Sequence, residues 1–166
     1  MMNPAEFANI AAIEESFWWF RGMRKILFRM LDEHPEAARR SLLALEAGCG
    51  TGHLSREIEQ RYGWHMVPVD LAAEGLAYGT SLGVARMTQA DIAFLPFANA
   101  SFPVVLSMDV LVHFPRGDER KPFGELVRVL KPSGLLVIRV SAMEILRSRH
   151  SAFAHERQRF TKPRLL

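Results

Sequence analysis

Three glycines, Gly48, Gly50 and Gly52, alternate along one short segment, and the acidic residue Asp70 follows Gly52 by 18 residues. Glycines at this spacing let the main chain turn tightly and let a ligand approach it without meeting a Cβ atom. A helix predicted to begin at His53 would present its free N–H groups at the same place. An acid about 20 residues beyond such a loop is typical of hydrogen bonding to ribose hydroxyls. These residues therefore predict a site for a nucleotide-like ligand.

The two standard phosphate-binding motifs match this loop poorly. The dinucleotide fingerprint places its third glycine where this chain has His53, and the NTPase loop requires Lys and then Ser or Thr where this chain has His53 and Leu54. A nicotinamide-dependent oxidoreductase of similar architecture remains an alternative, but it is weakened by His53.

Short apolar segments that alternate with helical segments must position the loop. The predicted strands are residues 42–45, 64–69, 85–90, 104–106 and 135–140, and the predicted helices between them are 53–62, 71–81 and 119–130. This alternation is typical of a parallel sheet covered on both faces. Four acids follow successive strands, namely Glu46, Asp70, Asp91 and Asp109. Since ligands bind beyond the carboxyl ends of such strands, we expect one polar cleft there.

The rest of the chain divides into two flanking parts. Residues 1–40 are predicted to form a helical segment that packs on the core, with a break at His34-Pro35. Residues 41–141 form the α/β core, and residues 142–166 form a basic helical tail. Pro103 is interpreted as the first residue of the fourth strand because proline lacks an N–H. Lys131-Pro132-Ser133-Gly134 is interpreted as the turn that ends the last core helix.

The composition bounds the class of protein. The chain has 166 residues, 49% of them hydrophobic, and a net charge of +3, which suits one domain with a substantial core. No apolar run is long enough for a membrane span, no secretion signal is expected, and a single cysteine, Cys49, fits a reducing cytoplasm. The basic tail is interpreted as a solvated helix face without the interleaved aromatic residues of a nucleic-acid platform. His53 and His65 lack the spacing of ligands, so no metal is expected.

Four ordered motifs resemble those of the class I S-adenosylmethionine-dependent methyltransferases, and especially the small-molecule group called methyltransferase type 11. They are residues 46–52 (EAGCGTG), 91–97 (DIAFLPF), 107–114 (SMDVLVHF) and 125–136 (ELVRVLKPSGLL). The resemblance implies a Rossmann-like doubly wound α/β sheet with parallel strands in the order 3-2-1-4-5. It also implies S-adenosylmethionine, and S-adenosylhomocysteine after the reaction, as the cofactor.

The resemblance implies a set of cofactor-binding residues. Glu46 and the glycine loop would face the methionine part, Asp70 the ribose, and Leu71, Asp91 and Ile92 the adenine, with Met108 and Asp109 beneath the sulfonium. The full set is Glu46, Gly48, Cys49, Gly50, Gly52, Asp70, Leu71, Asp91, Ile92, Met108, Asp109, Trp19 and Arg21.

The aromatic segment at residues 17–20 also resembles one that precedes the core in many family members. It is interpreted either as a lid over the cofactor, with Arg21 or Arg24 near the cofactor's carboxylate, or as aromatic packing on the sheet. Trp18 and Trp19 cannot face the same way on a helix, so at most one of them lies in the pocket. His113, just past the fourth strand, is the candidate general base because its ordinary pKa is near 6.5.

The resemblance ends near Leu166, before the helix and antiparallel strand pair with which family members continue. We therefore expect a chain truncated after its fifth strand, whose exposed edge favours a homodimer. The predicted function is methyl transfer to a small-molecule or lipid-like acceptor by in-line displacement. The alternative is a cofactor-binding fragment or partner subunit without independent catalysis.

Overall fold

A computed structural model describes residues 2–165 of the chain. Its centre is one parallel sheet of five strands: β1 (Leu43–Ala47), β2 (His65–Asp70), β3 (Thr88–Gln89), β4 (Phe102–Met108) and β5 (Leu130–Arg139). The strands lie in the order β3-β2-β1-β4-β5, and every pair is parallel. The predicted doubly wound fold and its strand order are thereby confirmed.

Helices cover both faces of this sheet. They are α1 (Pro4–Ile13), α2 (Trp18–Asp32), α3 (His53–Tyr62), α4 (Ala73–Ser81) and α5 (Arg120–Val129), followed by α6 (Arg149–Phe153) and α7 (Lys162–Leu165), with 3-10 turns at Pro35–Ala38, Leu111–His113 and Glu144–Leu146. Among residues 2–165, none of the helices has the length and apolar character needed to cross a membrane.

Alternation along the strands builds two hydrophobic clusters, one on each face. In β4, Val105 packs with Leu126 and Val129 of α5, whereas its neighbours Val104 and Leu106 pack with helices α2 and α3 on the other face. These β4 side chains are fully buried. The central strands are therefore held from both sides, and their carboxyl ends are fixed relative to one another.

Three predicted strand boundaries were wrong. Strand β3 has two residues instead of six, because Arg86 adopts a positive φ of 59° and the residues of β3 are exposed. Strand β4 begins at Phe102, so Pro103 is its second residue; the pairing breaks there, where Phe102 faces Leu130 but Val104 faces Leu135. The predicted turn at residues 131–134 instead lies inside β5, opposite this break in the pairing. Because the ladder is interrupted there, Pro103 can lie in the strand although it lacks a backbone N–H to donate.

The C-terminal tail is only partly helical, contrary to the prediction. It contains a 3-10 turn and the short helices α6 and α7, and the rest is extended or turned. Its cations do not form one solvated helix face, because Arg159 pairs with Glu156 at 3.1 Å and Arg164 with Glu119 at 3.0 Å. The tail returns to the sheet: the Phe160 N–H donates to the Ser141 carbonyl at 2.9 Å, and the Phe160 ring is buried in the core.

Candidate active site

The glycine loop between β1 and α3 has a backbone that only glycine adopts easily. Gly48, Gly50 and Gly52 have positive φ values of 87°, 55° and 71°. A Cβ atom on Gly48 would lie 2.1 Å from a methyl group of Val110. The Gly48 N–H donates to the Val69 carbonyl at 2.8 Å, which holds the loop against the end of β2.

Asp70, the last residue of β2, joins the strand end to this loop. One carboxylate oxygen accepts a hydrogen bond from the Gly50 N–H at 2.8 Å, and the other accepts one from the Ala72 N–H at 2.9 Å. Asp70 and the glycine loop, which the sequence analysis assigned to one site, are therefore in direct contact. The Asp70 side chain also borders the cleft described next.

A cleft of about 610 Å³ lies beyond the carboxyl ends of β1, β2 and β4. This volume is within the range of small-molecule sites. The structure brings most of the predicted site residues to its wall: Trp19, Glu46, Gly48, Cys49, Gly50, Asp70, Leu71, Asp91, Ile92, Met108, Asp109 and His113. Among residues 2–165, no three His, Cys, Asp or Glu side chains are grouped as a metal site.

Two predicted residues do not line the cleft. Gly52 instead caps α3, with Val84 and Met87 packed behind it, so its role is to turn the chain into the helix. Arg21 is exposed on α2 and borders, with Lys25 and Asp32, a separate depression outside the cleft. Arg24 is the arginine that borders the cleft; it donates to the Glu14 carbonyl at 2.6 Å and pairs with Glu57 at 2.8 Å.

Two buried carboxyl groups flank the loop. Glu46, at the end of β1, accepts a hydrogen bond from the Ser55 hydroxyl at 2.5 Å, and desolvation by burial raises its pKa to about 8. Glu14, from the turn between α1 and α2, accepts from the Thr51 hydroxyl at 2.7 Å, and burial raises the pKa of Glu14 as well. An ionised carboxylate in such a place needs a partner charge.

Sequence reasoning missed several residues of the site. Glu14 has no local signal, because its partner Thr51 is 37 residues away. The close approach of α4 had a signal in the pair Gly75 and Gly79, four residues apart. A Cβ on Gly75 would lie 2.7 Å from the Gly50 carbonyl oxygen, and one on Gly79 would lie 2.6 Å from that of Thr51.

The tail adds further cleft residues that no pattern pointed to. They are Ser141, Ser148, His150, Ser151, Ala154, Glu156 and Arg159. His150 also lies 3.6 Å from Glu6 of α1, so the two terminal segments meet beside the cleft. Both ends of the described chain therefore contribute to the wall.

His113 follows β4 in a 3-10 turn, and the tail orients its ring. The His113 Nδ1 lies 3.2 Å from the carbonyl oxygen of His155, an arrangement that favours a proton on Nδ1 and leaves Nε2 as an acceptor. Desolvation by burial lowers the pKa of His113, so the imidazole is neutral near pH 7. Nearby, Asp109 pairs with Arg139 at 2.6 Å, and the Arg139 guanidinium lies 5.2 Å from the centre of the Trp19 ring.

The buried Glu46 predicts a specific dependence of stability on pH. Because its pKa is about 8 in the folded protein against 4.5 ordinarily, the folded state holds more protons, and stability falls as the pH rises through this window. Glu46→Gln removes that proton uptake while keeping an oxygen for Ser55. We expect the Tm of the wild type to fall more steeply than that of the variant between about pH 5 and about pH 8, measured by thermal denaturation. The exposed Glu15→Gln serves as the control, and parallel Tm curves for wild type and E46Q would contradict the assignment.

Comparison with known proteins matches the part of the chain that contains the glycine loop, Asp70 and His113. The model of a family described as a methyltransferase domain matches residues 45–138, more than half of the chain. The chain is 36% identical over 103 residues to the malonyl-[acyl-carrier protein] O-methyltransferase of Pectobacterium atrosepticum. The aligned region covers 60% of this chain and 38% of that protein. The chain is 33% identical over 98 residues to the 2-methyl-6-phytyl-1,4-hydroquinone methyltransferase of Synechocystis, with coverage of 57% and 30%.

A solved structure shows the same fold. The phosphoethanolamine N-methyltransferase 2 of Haemonchus contortus, in complex with S-adenosyl-L-methionine, superposes with a TM-score of 0.69 at 21% identity and covers 87% of this chain and 34% of that one. The chain thus spans about a third of the length of these relatives. With the matched family model and the glycine loop, strand order and cleft in agreement, the chain belongs to the class I S-adenosylmethionine-dependent methyltransferases.

Proposed function

We propose that this cleft binds S-adenosylmethionine and directs its methyl group to a small-molecule acceptor with a large apolar part. The observation that carries the proposal is the contact of the Asp70 carboxylate with the glycine loop at 2.8 Å, on the wall of a cleft of about 610 Å³. When bound, the cofactor supplies a methyl group on a positively charged sulfur, which is displaced in line by the acceptor.

The chemistry of the cleft residues fits this cofactor. Asp70 is a carboxylate acceptor for a sugar diol, and the buried Glu46 is a carboxyl group that a neighbouring ammonium would favour in its ionised form. Arg24 places a cation on the cleft wall for a carboxylate, in addition to its pairing with Glu57 at 2.8 Å. Asp91, Ile92 and Leu71 lie together as a mixed polar and apolar surface for a base. We assign Gly48, Cys49 and Gly50 to the methionine part, Met108 and Asp109 to the floor, and Trp19 to the cover.

The acceptor side of the cleft has an apolar and aromatic part beside the polar residues of the tail. Its wall includes Phe7, Ile10, Phe17, Phe20 and Phe114. Apolar walls favour acceptors that gain from leaving water, and they desolvate the reacting groups. The Synechocystis relative is named for a phytyl hydroquinone and the Pectobacterium relative for a malonyl-[acyl-carrier protein]. The first of these names supports an acceptor with a long apolar part, because a phytyl group is a long hydrocarbon chain.

His113 is the proposed general base. Its neutral imidazole has Nδ1 engaged by the His155 carbonyl, so Nε2 is the atom that takes a proton from the acceptor as it attacks. An acceptor with a hydroxyl group, such as a phenol, suits this role because it must lose a proton. Asp109 is already paired with Arg139, which favours a positioning role for that carboxylate.

A second candidate function is a cofactor-binding module without catalysis of its own. It is favoured by one observation, namely that the chain spans only 38% and 30% of the two relatives described above. Under this alternative the cofactor binds, but transfer requires elements supplied by another segment or subunit.

Replacing Asp70 tests the cofactor site. Asp70→Asn keeps the size of the side chain and removes its charge, so we expect affinity for S-adenosylhomocysteine to fall by about tenfold to a hundredfold in titration calorimetry. NADH should not bind to either protein. The exposed Asp118→Asn is the matched control, and thermal denaturation checks that the loop still folds. Unchanged affinity in D70N would refute the assignment of Asp70 to the ribose. Tight NADH binding would refute the assignment of S-adenosylmethionine as the cofactor.

Replacing His113 separates catalysis from binding. In His113→Gln we expect methyl transfer to a phytyl hydroquinone to fall by about a hundredfold or more, while affinity for S-adenosylhomocysteine stays within twofold (roughly) of wild type. Because the pKa of His113 is lowered, the wild-type rate should lose its base only below about pH 6.5. His155→Asn keeps the carbonyl that orients His113 and is the control. A wild-type rate in H113Q would exclude His113 as the general base. If the wild-type protein binds the cofactor but transfers no methyl group to phenols, carboxylic acids or amines, the second candidate function is favoured.

The edge of the sheet supports a further proposal, a homodimer. Strand β5 pairs with β4 on one side, and an edge strand offers its free backbone groups to a second copy. We expect sedimentation velocity to show a dimer whose fraction rises with protein concentration. A single monomeric species at all concentrations would contradict this proposal.

A further inference from the structure

The outward face of α2 carries two parallel rows of side chains. Positions four apart on a helix share one side, so Trp18, Gly22, Ile26 and Met30 form one row, and Arg21, Lys25 and Arg29 form the row beside it. The apolar row is about 18 Å long. Its side chains are largely open to solvent: 72% of Trp18, 55% of Ile26 and 54% of Met30 are exposed.

The inner face of the same helix is firmly attached to the core. Leu27 and Leu31 are buried against strands β1 and β4 and helix α3. Core packing thus explains the inner apolar residues of α2, but it does not explain the outer row. Scattered exposed apolar side chains are ordinary, whereas a contiguous row that includes a tryptophan marks a surface for a partner.

The cationic row is largely uncompensated. Among residues 2–165, no ion pair within 4.0 Å involves Arg21 or Lys25. Arg29 has a long contact of 3.4 Å to Glu33, and both of these side chains are highly exposed. The nearby Asp32 is engaged by Arg61 at 2.7 Å. The row therefore presents positive charge beside the apolar row.

We propose that this face of α2 binds an anionic lipid surface. The cationic row borders a depression that Asp32 and Glu57 also line. Trp18, Ile26 and Met30 are not part of its lining and project from the exposed surface of the helix, where a fluid bilayer interface accepts such side chains. Cations beside exposed Trp, Ile and Met are the pattern of helices that lie in the interface plane. Each cation near an anionic membrane adds favourable electrostatic energy, and a tryptophan ring suits the boundary between water and lipid.

The position of this face gives membrane contact a use. Phe17 lines the cleft, and its ring centre lies 5.8 Å from that of Trp18 on the outward row. Trp19 and Phe20, on the next positions, also line the cleft. An apolar acceptor dissolved in the bilayer would reach the cleft along this aromatic segment; this last step rests on the proposed function, whereas the lipid contact itself does not.

The test is co-sedimentation of the whole chain with vesicles of phosphatidylcholine alone and of phosphatidylcholine mixed with phosphatidylglycerol. We expect binding to the mixed vesicles that weakens with added salt. In the variant Lys25→Gln/Arg29→Gln, binding should weaken about fivefold for each cation removed. Trp18→Ser should also weaken binding and abolish a blue shift of the fluorescence. The matched control is Lys131→Gln/Arg120→Gln, which removes two exposed cations from another part of the surface.

Calorimetry with S-adenosylhomocysteine on the same variants separates the two proposals, because none of the substituted residues lines the cleft. Normal cofactor binding with loss of vesicle binding supports the lipid surface. Absence of vesicle binding in the wild type, or equal weakening in the control variant, would overturn it whatever the cofactor result. Binding of an acidic acyl-carrier protein that depends on Lys25 and Arg29, without vesicle binding, would also overturn it and identify the face as a protein-docking surface.

Discussion

The candidate site depends on one hydrogen bond, from the Gly50 N–H to the carboxylate of Asp70. A loop with three glycines has many accessible conformations in the unfolded chain, and ordering it costs entropy. The Asp70 carboxylate bridges two backbone donors, at Gly50 and Ala72, that the ends of secondary structure leave unpaired. The strand that presents the acid thereby also fixes the loop, and the carboxylate that we propose to bind the ribose is oriented before any ligand arrives.

The same region concentrates carboxyl groups that water would otherwise solvate. Glu46 and Glu14 are buried, and burial raises the pKa of each, while Asp70 lies beside the same loop. The charges of Asp70 and Glu14 add to burial in keeping Glu46 protonated, so a ligand that brings positive charge would favour its ionised form. A cofactor with an ammonium and a sulfonium would supply that positive charge, which connects the cost of burying these acids to the selectivity of the cleft.

The parts of the fold that local patterns encode could be predicted from the sequence. Helix α3 begins and ends where predicted, because Gly52 and Gly63 both adopt positive φ at its ends. The alternation of apolar and helical segments predicted the parallel sheet, whereas its strand order was implied by the resemblance of the four motifs to the methyltransferase family. Several failures come from contacts between residues distant in the chain. Glu14 bonds Thr51, and the Arg157 N–H of the tail bonds the Val112 carbonyl at 2.8 Å, and neither contact leaves a periodic signal. Arg21 was misplaced because position on a helix face, not residue type, decides which arginine meets the cleft.

The core and the flanking segments therefore divide the work of the site. We assign the cofactor half to side chains on β1, β2 and β4 and on the loops after them, where the family motifs lie. We assign the acceptor half mainly to α1, the start of α2 and the tail, which lie outside the residues that the family model matches. The His155 carbonyl shows why this matters: a tail residue sets the protonated nitrogen of His113, which lies next to the core. Changes in the flanking segments can thus alter the acceptor and the base without disturbing the cofactor half, and this arrangement lets one fold serve many acceptors.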